Sequence, residues 1–158
     1  MLRYCLSTLL IAAVALPATG WGQSLSDKQQ YIGSNPRPGT RTIMRDSSGR
    51  SIGTAITDSR GQTAFRDNRG RLTGTARNTN GRINFHDQAG RLSGWATTRN
   101  GRTTFRDRGG RMTGSATSNN TRTILRDQAG RTTGSVHKSN GRQTFRDRSG
   151  RLRATATQ

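Results

Sequence analysis

The chain has little of what a compact core is made from. Hydrophobic residues make up 28% of its 158 residues and aromatics 5%, where globular domains are nearer half apolar. Few large apolar residues combined with a formal net charge of +19 read, by composition alone, as disorder. There is one cysteine, Cys5. It precedes the chain's one long apolar run instead of ending it, so lipoprotein attachment is not expected. Once the leader is removed, no disulfide can staple the chain. That apolar run, "LLIAAVALPATG" from Leu9 to Gly20, is too short to span a bilayer.

The chemistry of enzymes is missing as well. No paired carboxylates suited to acid–base work occur, and no Gly-rich phosphate loop opens a helix. The two histidines, His86 and His137, are not spaced as ligands and read as drift within a repeat. Calcium is conceivable for aspartates in secreted glycine-rich repeats. Here each repeat aspartate stands beside Arg or His, with no second carboxylate near it. The expectation is therefore a non-enzymatic protein without metal or cofactor.

What is present begins with an export signal. Arg3, the apolar run and the small residues after it have the order of a secretory signal peptide, with cleavage expected after Gly20 or Gly22. The expected organisation is a signal peptide over 1–22, a flexible polar arm over 23–38 with Pro36 and Pro38, and a repeat array over 39–158. The mature protein is then periplasmic or secreted, with no membrane span.

The array shows fixed-period self-similarity. Gly-Arg recurs at Gly49-Arg50, Gly70-Arg71, Gly90-Arg91, Gly110-Arg111, Gly130-Arg131 and Gly150-Arg151, spaced 21 and then 20 residues apart. Three residues before each such glycine stands Asp46, Asp67, Asp87, Asp107, Asp127 or Asp147. An aspartate opening a turn accepts nearby backbone N–H groups, and glycine at its fourth position takes a left-handed conformation. A second turn, Asn-Gly, recurs at Asn80, Asn100 and Asn140. Between short β-prone runs it signals a two-residue type I′ hairpin. The extra residue of the first repeat falls between Ala55 and Phe65.

Two turns per repeat leave two strands per repeat. A two-residue loop at Asn100-Gly101 sets Arg99 opposite Arg102 and Ala96 opposite Phe105. The same counting sets Ala76 opposite Phe85 and Val136 opposite Phe145. Strand alternation places Met112, Gly114 and Ala116 together. A glycine bulge at the Asp107 turn would separate Met112 from Phe105; economy of apolar surface favours one shared face. One hairpin cannot fold alone, but stacked copies supply each other's core. The expected fold is all-β: tandem hairpins of about twenty residues, stacked as an open solenoid or a curled antiparallel sheet.

"DNRGRLT", Asp67 to Thr73, resembles the YD repeat of the RHS family, Tyr-Asp-x-x-Gly-Arg-Leu, with the Tyr replaced by Arg or His. The resemblance covers most of the chain after Arg41. It implies a strip of the β-shell that many such repeats build, and in some members a link to carbohydrate. "NGRTTFRDRGGRMTG" is also similar in architecture to choline-binding cell-wall repeats, without their aromatic cage. Neither likeness supplies a catalytic residue.

Arginine is what remains to carry function. One ladder is Arg50, Arg71, Arg91, Arg111, Arg131 and Arg151. A second is Arg45, Arg66, Arg106, Arg126 and Arg146, broken at His86. A third is Arg41, Arg82, Arg102, Arg122 and Arg142, broken at Gln62. All three are expected on the polar side, where Trp95 occupies a Ser/Thr slot and could stack on a sugar or base. A single-sign field of guanidinium forks suits phosphate, sulfate or carboxylate. The expected function is binding of an anionic polymer: envelope polysaccharide, lipopolysaccharide or nucleic acid. The alternatives are self-association as a structural or adhesive protein, and a small RHS-like fragment.

Overall fold

A computed structural model describes residues 39–158. The expected signal peptide and polar arm lie outside the described residues. Twelve strands follow one another: β1 (Arg41–Asp46), β2 (Ser51–Thr57), β3 (Gln62–Asp67), β4 (Leu72–Thr79), β5 (Arg82–Asp87), β6 (Leu92–Arg99), β7 (Arg102–Asp107), β8 (Met112–Ser118), β9 (Arg122–Asp127), β10 (Thr132–Ser139), β11 (Arg142–Asp147) and β12 (Leu152–Thr157).

Both turn types form as their residues dictate. Asn80, Asn100 and Asn140 have φ of 53°, 49° and 46°, and each following glycine is also positive, the backbone of a type I′ turn. At the other end, the Oδ1 of Asp67 accepts the amides of Arg69 and Arg71, each at 2.9 Å. The extra residue of the first repeat lies in the β2–β3 connection, where an Asp58–Gly61 turn stands in for Asn-Gly.

The expected registers form. Arg99 faces Arg102, Ala96 faces Phe105, Ala76 faces Phe85 and Val136 faces Phe145. The expectation of an open solenoid or curled sheet is corrected: every strand pairs with its chain neighbours, and β1 pairs β12 antiparallel to close a barrel. The seam matches Met44 with Ala156 and Asp46 with Ala154. It repeats the relation of Phe105 to Ala96 across the chain's two ends.

The physical cause of closure is a bulge in every repeat. The register shifts after Met44, Phe65, Phe85, Phe105 and Phe145, and between Thr132 and Gly134. Bulges bend a strand and increase its twist, and repeated bulges curve a sheet shut. The same bulge overturns the expected shared face. Phe105 opposes Gly114, while Met112 opposes Arg106 on the outside.

The core is therefore a ring inside the barrel. Odd strands contribute the large residues Met44, Phe65, Phe85, Phe105, Leu125 and Phe145; even strands contribute Ala55, Ala76, Ala96, Ala116, Val136 and Ala156. Alternating large and small residues is how barrel interiors fit together. The slot beside the large residue is tight at Gly53, although β12 fills it with Ala154, opposite Phe145. A Cβ on Gly53 would stand 2.5 Å from the carbonyl oxygen of Arg66 and 3.3 Å from Met44 Cε. Toward the Asn-Gly end, hydroxyl pairs continue the interior: Thr57 with Thr63 at 2.8 Å, Thr98 with Thr103 at 2.8 Å and Ser118 with Thr123 at 2.9 Å.

Candidate anion-binding surface

Closure sorts the charged residues by place. Inward positions take the Phe/Ala ring, so the residues alternating with it form the outer wall. On β7 these are Arg102, Thr104 and Arg106, and on β9 they are Arg122, Ile124 and Arg126. Every ionised side chain on the outward positions of the strands is an arginine. The described aspartates sit instead in turns: Asp58 in the β2–β3 connection, and the other six at the opposite rim. Among the described residues, no three His, Cys, Asp or Glu gather as a metal site.

The three arginine ladders take three different positions. Arg41, Arg82, Arg102, Arg122 and Arg142 start odd strands and circle the wall near the Asn-Gly end. Arg45, Arg66, Arg106, Arg126 and Arg146 circle it near the Asp-turn end. Arg50, Arg71, Arg91, Arg111, Arg131 and Arg151 lie outside the strands, exposed on the rim itself. Successive members stand two strands apart, about 10 Å, except across Gln62 and His86, where the gap is four strands.

The second circle also has a structural duty. Arg45, Arg66, Arg106, Arg126 and Arg146 each donate through Nη1 to the carbonyl of the glycine four residues on, at 2.9, 2.9, 2.7, 3.4 and 2.8 Å. They latch the Asp-x-x-Gly turns. The regular Arg-Asp-x-x-Gly spacing is the sequence signal for it. On the rim, Arg71 Nε pairs with Asp67 Oδ2 at 2.8 Å, and Arg153 Nη2 pairs with Asp147 Oδ2 at 2.9 Å. The Ser149 hydroxyl foremost, with the amides of Arg151 and Ser149 and the Arg153 guanidinium, outweighs burial and holds the Asp147 carboxyl down to about 2. For Asp67, burial pulls upward, but the Arg71 side chain and the amides of Arg71 and Arg69 outweigh it and hold its pKa below the usual value.

Two arginines outside the ladders join the wall. Arg77 opposes Gln62 and Asn84, and Arg99 opposes Arg102. Their outward placement follows from the same alternation, but their slots are not arginine in the other repeats. Trp95 lies outward as expected, between Asn84 and Arg106 in register. The guanidinium of Arg82 lies over its ring, 4.0 Å from the centroid. His86 and His137 also face outward, opposite Thr75 and Thr144.

The strands are 6 to 8 residues long, shorter than the 9–11 of a membrane-spanning strand. Their outward face carries arginine and threonine where a membrane barrel has an apolar belt. The outward face is therefore polar and basic. No protein family, curated protein or solved structure matches the chain.

Proposed function

We propose that this is an exported, non-enzymatic protein that binds an anionic polymer through the outer wall of its barrel. The observation that carries this reading is the separation of charge: the ionised groups of the wall are guanidinium, while the carboxylates are bonded into turns. A wall of one sign raises the local concentration of a polyanion and accelerates its encounter. Arg99 and Arg102 strengthen the case. They face each other directly across β6 and β7, an arrangement that costs stability in the free protein. An anion lying across the pair relieves that repulsion.

Self-association through open hairpin ends has less support, because β1 and β12 pair with each other and leave no free edge among the described strands. The choice among polysaccharide, lipopolysaccharide and nucleic acid rests on the groups these polymers share. The test is binding of labelled heparin and labelled DNA at low salt. The chain should bind, and Arg99, Arg102, Arg122 and Arg142 changed together to Gln should bind much more weakly. None of these four latches a turn, so the fold should persist. Wild-type protein that ignores both polymers contradicts the reading.

A further inference from the structure

One stretch of the wall differs from the rest. In the slot of Trp95, the other repeats place Thr54, Thr75, Ser115, Ser135 and Thr155. Arg82 answers it. Arg41, Arg102, Arg122 and Arg142 are exposed, whereas Arg82 is half-buried. Its guanidinium is held over the indole, and its Nε is buried without a hydrogen-bond partner. The indole edge in turn lies against the turn at Gly110, where an added Cβ would stand 3.7 Å from it. The stack therefore has a fixed base.

Two consequences follow from general chemistry. A guanidinium already held in place loses less rotamer freedom when it binds than a mobile one does. It also presents a flat cationic surface of the kind on which nucleobases stack, together with N–H groups for phosphate. A sugar ring has no π-face to match it, and Arg82 already covers one face of the indole. Arg77 on β4, Arg99 on β6 itself, and Arg102 and Arg106 on β7 lie around the stack, with no outward carboxylate among them. Charge complementarity thus calls for phosphates beside a planar ring.

We propose that Arg82 and Trp95 form a nucleotide-docking subsite, at which an unpaired nucleic-acid strand sets one base on the guanidinium plane and its phosphates among the neighbouring arginines. The subsite rests on the polyanion reading and names its ligand as single-stranded nucleic acid.

The test compares a labelled oligothymidylate with labelled heparin by fluorescence anisotropy. Trp95→Thr restores the residue usual in its slot, and Arg82→Lys keeps the charge but removes the plane. Each should weaken oligothymidylate binding about tenfold, the scale of one lost stack, and change heparin binding by less than about twofold. Trp95→Phe keeps a ring under the guanidinium and should recover part of the loss. In a Trp21→Phe background, oligothymidylate should perturb the Trp95 emission and heparin should leave it nearly unchanged; this reading needs no change at the subsite. Unchanged oligothymidylate binding in Trp95→Thr, or an equal loss for both polymers, overturns the subsite while leaving the wall intact. Wild-type protein that binds neither polymer overturns both.

Discussion

Phe105 and Met112, the two largest apolar residues of one repeat, lie on opposite faces of the wall. Phe105 opposes Gly114 inside, and Met112 opposes Arg106 outside. The bulge between them sets the side of each and, repeated around the chain, curves the sheet into a barrel. Phe105→Ala should cost about 3 kcal/mol, the low end for a buried Phe. Met112→Thr, which copies Thr132, should cost less than about 1 kcal/mol, as other surface changes do. Urea unfolding of the two variants distinguishes the faces, and equal costs would contradict the assignment.

Closure makes strand number matter. Removing Gly101 to Asn120 deletes one repeat and leaves ten strands, still antiparallel across the seam. Removing ten residues that hold one strand leaves an odd number, which forces β1 and β12 to run parallel. The first deletion should keep β-type circular dichroism and cooperative unfolding, and the second should lose both. Equal damage from the two contradicts the closed meander.

Much of this was legible locally. The Asn-Gly pairs set the hairpin register, and that register placed Ala96 on Phe105 and Arg99 on Arg102 before any long-range contact was considered. Closure was not legible, because it depends on β1 meeting β12, residues more than a hundred positions apart with no local mark. The side taken by Met112 was hidden for a related reason. A one-residue bulge reverses the alternation, and Asp-x-x-Gly-Arg does not by itself say where the extra residue goes. The arginine series was plain in the sequence, but its division into turn latches, rim residues and wall residues needed the curvature. Arg82 on Trp95 joins two slots on different strands, and only the register brings them together.

The turn latches separate arginines that look alike in sequence. Arg106→Ala removes a bond of 2.7 Å to the Gly110 carbonyl and should cost about 1 kcal/mol. Arg122→Ala removes no such bond and should change stability by less than about 0.5 kcal/mol. Thermal melts of both variants check this, and a reversed order would show that the latch contributes nothing.

Acid should weaken the Asp-turn rim. Asp147 has its carboxyl held down to about 2 in the folded chain, against about 3.9 when unfolded. A depressed pKa contributes stability that is fully present above pH 4 and is lost as the pH falls toward 2. The melting temperature of the wild type should therefore approach that of Asp147→Asn over that interval. Parallel curves would show that the turn does not hold the ionised form.

Arg99 and Arg102 trade stability for attraction. Arg99→Thr copies Thr79 in the same slot and removes the facing like charge. At low salt it should stabilise the fold by about 0.2–1 kcal/mol and weaken polymer binding. A variant that is more stable and binds as tightly as wild type would detach the pair from function.

The central claim is that the wall binds through its arginines, and the salt dependence of duplex DNA binding measures it most directly. Log K should fall linearly with log salt, by about 0.9 for each phosphate contact neutralised. Replacing Arg99, Arg102, Arg122 and Arg142 with Gln should make that slope shallower while the melting temperature holds. A steep slope in the wild type that flattens in the variant is the predicted result. A flat slope in the wild type, or the same slope in both proteins, would contradict it.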